Sequence, residues 1–190
     1  MDPDSYLSSF WASIEVSPIT WSSAIFLISA LFFLGVSAFM SASEIAFFSL
    51  SSRDMEKIDS AATPRDTRVS DLLSRSPYLM MEIFIVNNLA VIMSGIFFLS
   101  EIFDFSRVPG VGYAIEFVLF VFLILLFGEI IPKVYARQNG LKMMRRAVPV
   151  LTFLETFLGG VSKLMVRSAS YISQRFAHKE SSISMNCLMP

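Results

Sequence analysis

From Val16 to Ser43 the chain carries no charged residue. A run of that length can cross a hydrocarbon core as a helix of about 20 residues, and few other folds bury so long an uncharged stretch. The remainder repeats the theme. Ile83 to Ser100 is again uncharged, and Val111 to Phe127 is apolar except for Glu116 near its start. The first span is placed at about 21–41, with Trp21 as an interfacial anchor. Ser76 and Pro77 are a helix cap and a first-turn proline, and they start a second span over about 77–98. Pro109-Gly110 is a turn signal. The third span follows over about 111–131, where Pro132 removes a backbone donor and disturbs the helix. Charged residues make up 16% of the chain, well under the ~25% of soluble domains.

The stretch 149–167 differs. Val150, Leu154, Phe157, Leu158, Val161, Leu164 and Met165 fall on one helical face. Thr152, Glu155, Thr156, Gly159, Lys163 and Arg167 fall on the other. This amphipathic pattern predicts a belt helix lying along the membrane surface. The expected fold is therefore an all-α membrane protein. It has three transmembrane helices, short cavity-lining helices and a cytoplasmic juxtamembrane amphipathic helix.

Charge distribution predicts the orientation. Residues 1–20 hold no Lys or Arg, the loop from Arg53 to Arg75 holds five, and nine follow Pro132. The positive-inside rule places 1–20 outside the cell and the C-terminus in the cytoplasm, a parity that three spans satisfy. A multi-pass inner-membrane protein is expected, with 21–176 as the transmembrane domain. The tail 177–190 reads as disordered and as the cut end of a longer protein. The lone Cys187 and the lone His178 give no thiolate or imidazole cluster. No basic patch suits nucleic acid. No embedded His, nucleophile–base pair or metalloprotease motif suggests an enzyme.

Polar residues inside the spans are the candidate functional residues. Ser41, Ser43 and Glu44 stand at the end of the first span, with Ser37 on the same face as Ser41 and Glu44. Asn87 and Asn88 stand midway along the second, roughly 15 Å from its start at 1.5 Å per residue. Gly128-Glu129-Ile130-Ile131-Pro132-Lys133 ends the third. Hydroxyl, amide and carboxylate oxygens are hard ligands of the kind Mg²⁺ or Na⁺ takes. Gly128 and Pro132 flank Glu129, so the helix can open there and present carbonyl oxygens to a cavity. Each element also has a plainer use. Serines bond their own backbone, Asn pairs join helices, and Glu129 can pair with Lys133 four residues on.

Three motifs in order, Ser41-Ala42-Ser43-Glu44, Asn87-Asn88-Leu89 and Gly128-Glu129-Ile130-Ile131-Pro132-Lys133, resemble the transmembrane domain of the CorB/CorC and cyclin-M family of magnesium transport proteins. The family includes bacterial relatives associated with gliding. The resemblance covers about Ile25 to Lys163. It implies a homodimer in the lipid bilayer, transport of Mg²⁺ by alternating access, and export coupled to Na⁺ entry. It implies Mg²⁺ ligands at Ser41, Ser43, Asn87, Asn88, Gly128 and Glu129. It also implies cytoplasmic regulatory nucleotide-binding domains in the full-length protein and no ATP site in this chain. Val86 and Val91 stand where family members often have Gly and Asn. These departures favour the alternative, a non-transporting membrane scaffold of the same fold.

Overall fold

The computed structural model describes residues 21–60, 63–99 and 109–186, all of them helical or in short connections between helices. The helices are α1 (Trp21–Phe48), α2 (Ser52–Ser60), α3 (Pro64–Ser74), α4 (Ser76–Leu99), α5 (Pro109–Leu123), a π-helical segment (Ile124–Ile130), α6 (Ile131–Gln138) and α7 (Gly140–Asn186). The expected extracytoplasmic segment 1–20 and the last four residues of the expected tail lie outside the described residues. Four helical stretches are long and apolar enough to cross a membrane: Trp21–Phe48, Ser76–Leu99, Tyr113–Gln138 and Gly140–Ser168. The chain is an all-α, multi-pass membrane protein. The first three stretches match the expected spans. The fourth contains the segment read as amphipathic.

The chain divides into two compact units. The first joins the described parts of Met1–Ser49 and Ile85–Met143. Here α1 and α4 pack along a seam of small and polar residues. The Ser94 hydroxyl donates to the Ala30 carbonyl at 3.0 Å, and Ser37 donates to Asn87 Oδ1 at 2.7 Å. These contacts lie seven residues apart on each helix and run in opposite senses, so α1 and α4 are antiparallel with one two-turn period between bonds. Small residues allow such approach where lipid supplies no hydrophobic drive. Beyond the polar seam, Phe97 packs against Phe26 and stacks on Phe33 at 5.7 Å. Phe120 of α5 stacks on Phe98 of α4 at 5.1 Å and lies over Gly95. The exposed surface of α1 is apolar, with Ile28, Leu31 and Phe32 turned outward, as a lipid-facing helix requires.

The second unit joins Leu50–Phe84 and the described part of Met144–Pro190. Thr63 caps α3. Its extended backbone and hydroxyl accept the Asp66 amide, and Pro64 fixes the first helical position. Asp66 is fully buried. It accepts two bonds from Arg145 of α7, at 2.8 Å from Nε and 3.1 Å from Nη2, and one from the Thr63 hydroxyl. Further along α7, Glu155 takes Arg75 at 3.0 Å and Arg68 at 3.8 Å. Further still, the Ser162 hydroxyl is hydrogen-bonded with Glu82 Oε1 of α4 at 2.9 Å. Arg145, Glu155 and Ser162 share one stripe of α7, at offsets of ten and seven residues.

This ladder fixes which face of α7 meets the protein. Its polar stripe is turned onto the protein, while Phe153, Phe157, Val161 and Leu164 are exposed. The amphipathic pattern is real, but the apolar face is the outward one. An apolar exterior over a polar interior is the arrangement a hydrocarbon solvent selects.

Two stability predictions follow from these contacts. The Arg145 guanidinium, and after it the Thr63 hydroxyl, hold the Asp66 carboxyl below the usual carboxylate range. A depressed carboxyl contributes stability that is fully present above its unfolded value of about 4. That contribution is lost as pH falls through the lower folded value. Asp66→Asn should lower unfolding stability by about 2 kcal/mol, less than for a fully buried pair because Arg145 is part-exposed. It should also flatten the acid limb of the melting curve. In the other unit, a Cβ at Gly95 would stand 3.0 Å from Phe120 Cε1, and Phe98 limits the ring's retreat. Gly95→Val should cost about 1–3 kcal/mol by thermal unfolding in detergent, the penalty of overpacking.

Candidate ion-binding site

The candidate residues separate by what their side chains already do. Four serines of α1 make the contrast. Ser29 donates to the carbonyl of Ile25 at 2.8 Å and Ser43 to that of Phe39 at 2.7 Å, each spending its hydroxyl on its own helix. Ser37 instead reaches across to Asn87. Ser41 is fully buried, and its Oγ has no hydrogen-bond partner. Ser37 and Ser41 are four residues apart and share a face. A buried hydroxyl without a partner costs about 1–3 kcal/mol, so an oxygen held ready in this way needs a reason.

Asn87 is half-buried on α4 and turns its amide oxygen to Ser37. Asn88, one position on, is exposed, so the two amides do not converge. Val91 and Ser94 continue the Asn87 face at offsets of four and seven. Position 91 therefore adds a methyl surface, not an oxygen, to the seam.

The third contribution comes from the π-helical segment Ile124–Ile130. Its cause is Pro132. Proline has no amide hydrogen, and its ring clashes with the carbonyl four residues back, that of Gly128. The helix widens to accommodate it. The Ile131 amide bonds the Leu126 carbonyl five residues back. The next carbonyl, Phe127 C=O, thus has its i+4 donor diverted and a proline at i+5. Gly128 is buried, and a Cβ built there would lie 3.3 Å from Leu34 Cδ1 and 3.6 Å from Ser37 Oγ. The glycine lets the widened turn approach the Ser37 hydroxyl closely. Such π-bulges concentrate at functional sites.

Glu129 does not join this cluster. Its carboxylate lies 3.4 Å from Lys133 Nζ, one turn along, with both side chains about one-third exposed. Glu44 is half-buried near the C-terminal end of α1. Among the described residues no three His, Cys, Asp or Glu gather as a metal centre. The side chains brought together are neutral: Ser37 Oγ meets Asn87 Oδ1 beside Gly128 of the π-helical turn, and the unpartnered Ser41 Oγ lies one turn along the same face of α1. Sequence reading placed Ser37 on the same face as Ser41 but did not list it among the ligands. The seven-residue register between α1 and α4 is what brings it to Asn87.

An apolar cavity of about 340 Å³ adjoins the seam, lined by Ala30, Leu34, Ala38, Ser94, Phe120 and Ile124 among others. Its one hydroxyl, on Ser94, is committed to the Ala30 carbonyl, so the cavity offers no polar ligand.

No curated protein matches the chain. A family model does match, that described as the cyclin M transmembrane N-terminal domain, over residues 28–186. The match takes in α1 from its eighth residue, α4, the π-helical segment and α7, and so all of the seam and the polar ladder. The family is one of membrane domains associated with metal transport. On that match, and on an all-helical membrane fold carrying all three motifs, the chain belongs to the cyclin M transmembrane domain family.

Proposed function

We propose that this chain is the ion-binding domain of a Mg²⁺ transporter that works as a homodimer by alternating access, exporting Mg²⁺ in exchange for Na⁺. In the bilayer the N-terminus faces out and the C-terminus faces the cytoplasm. Any nucleotide regulation belongs to domains beyond this one.

The observation that carries the reading is the Ser37–Asn87 contact beside the π-helical turn, with the unpartnered hydroxyl of Ser41 one turn away on the same face of α1. Magnesium prefers six oxygens at 2.0–2.1 Å in an octahedron, which puts neighbouring ligands about 2.9 Å apart. Ser37 Oγ and Asn87 Oδ1 stand 2.7 Å apart. The pair is already near the length of an octahedral edge. A cation would replace the Ser37 hydrogen as the bridge between them. Ser41 Oγ and a carbonyl released by Pro132 would add neutral oxygens, and Glu129 the compensating charge.

Glu129 must leave Lys133 to do this. A part-exposed i, i+4 ion pair is worth only about 0.3–0.5 kcal/mol, a latch weak enough for a divalent ion to open. The Glu129–Lys133 pair therefore gives a way to hold the empty site neutral and to charge it when an ion arrives. The same weakness suits release on the other side.

The test is calorimetric Mg²⁺ binding to the purified protein, followed by flux into liposomes. Asn87→Ala, Ser41→Ala and Glu129→Gln should each weaken binding tenfold or more. Ser43→Ala should leave it within about twofold, because that hydroxyl is bonded to its own helix. Equal losses at Ser41 and Ser43 would remove the distinction on which the site rests. Lys133→Met frees Glu129 from its competitor and should tighten Mg²⁺ binding by about twofold, the equivalent of the roughly 0.3–0.5 kcal/mol of the pair. Saturable binding without flux would favour the scaffold reading, to which the methyl surface of Val91 also leans.

A further inference from the structure

A second buried polar group lies in the other unit, and the cation site makes no use of it. Glu82 of α4 is 1% exposed, and its partner Ser162 of α7 is 0% exposed. The hydroxyl of Ser162 lies 2.9 Å from Glu82 Oε1 and 3.3 Å from the Gly159 carbonyl. Glu82 Oε2 has no hydrogen-bond partner.

The charged groups around it give no counter-ion. Glu82 is the one charged residue of α4. On α7, Glu155 sits two turns before Ser162 on the same stripe and adds negative charge; it is held by Arg75 and Arg68. Lys163 and Arg167 on α7 are exposed. On α3, Asp71 is also tied to Arg68, at 2.7 Å, and to Arg75, at 3.5 Å. Among the described residues no ion pair includes Glu82.

The hydroxyl count then distinguishes two protonation states. Ser162 has one hydrogen. If Glu82 is ionised, that hydrogen faces two acceptors, and an anionic oxygen stays buried without a partner. If Glu82 holds a proton on Oε1, it donates to Ser162, and Ser162 donates to Gly159. Both close contacts become hydrogen bonds, and Oε2 remains only as a neutral carbonyl oxygen. An unpaired charge in hydrocarbon costs several times more than an unpaired neutral acceptor.

We propose that Glu82 is a proton-binding site in the contact between α4 and α7, and that release of its proton to water loosens that contact. The proton leaves Oε1, Ser162 turns its hydrogen from Gly159 to the carboxylate, and the new anion draws in water that the dry contact excludes. The seating of α7 is thereby linked to pH. This site is separate from the Ser37–Asn87 cluster and stands whether or not that cluster binds Mg²⁺.

The experiment compares the full chain with Glu82→Gln in lipid nanodiscs. Infrared spectra of the wild type at neutral pH should carry a protonated-carboxyl band that Glu82→Gln removes. Hydrogen exchange of α7 amides, taken as the wild-type to Glu82→Gln ratio at each pH, should rise with pH by up to about tenfold per unit once Glu82 ionises. Because the equally buried Glu116 contributes to both spectra, the readout is the wild-type minus Glu82→Gln difference: no protonated-carboxyl band in that difference, or a ratio flat across pH, overturns the proposal. If Glu82→Gln does not fold, Ser162→Ala decides: the band should persist but shift in frequency as its hydroxyl partner is lost. An unshifted band, or none, would overturn the proposal as well.

Discussion

Hydrocarbon supplies no hydrogen bonds, so every polar group that enters the membrane must be satisfied by the protein or kept for a ligand. That constraint arranges this molecule. Lipid-facing surfaces are Phe, Leu, Ile and Val. Polar side chains turn inward, and most find partners: Ser94 with Ala30, Ser37 with Asn87, Arg145 with Asp66, Glu155 with Arg75, Ser162 with Glu82. Among the described residues the buried side-chain atoms without a partner are Ser41 Oγ, Glu82 Oε2, Glu116 Oε1 and Thr152 Oγ1; the first belongs to the proposed cation cluster and the second to the proposed proton site. Main-chain groups follow the same logic, since the widening forced by Pro132 displaces carbonyls from their usual donors beside Gly128 and Ser37.

A cluster of neutral oxygens suits a transported ion in a way that a ring of carboxylates would not. Strong charge binds a divalent cation tightly and releases it slowly. In the proposed site the fixed donors are hydroxyl, amide and carbonyl groups, and the one carboxylate, Glu129, rests in a weak ion pair with Lys133. Affinity can then change with one side-chain movement. The polar ladder of α7 includes a stronger pairing, with a buried aspartate accepting two bonds along one edge of a guanidinium. The protein thus uses firm ion pairs for structure and weak ones near the site.

Much of this was legible in the sequence. Long uncharged runs give the first three apolar helices because nothing else accommodates them, and proline beside glycine gives the opened turn. The matched family was visible in three short motifs. What sequence could not supply was register and facing. Ser37 and Ser41 share a face in any helical wheel, but only the α1–α4 offset makes Ser37 the partner of Asn87. Nor does adjacency show that the Ser43 hydroxyl bonds its own helix, or that Asn88 is exposed where Asn87 is half-buried. The periodicity of α7 gives its two faces, but an amphipathic pattern does not say which of them meets the protein. Arg145, Glu155 and Ser162 owe their roles to contacts 79 or 80 residues distant.

The central claim is that a divalent cation binds among Ser37, Ser41, Asn87 and the π-helical turn. The most direct measurement is an anomalous-difference map of the protein crystallised in lipid with Mn²⁺ in place of Mg²⁺. The account predicts one peak per chain within coordination distance of Asn87 Oδ1, with the Ser37–Asn87 hydrogen bond broken and Glu129 turned away from Lys133. A peak elsewhere, or an intact Ser37–Asn87 bond at saturating Mn²⁺, would contradict it.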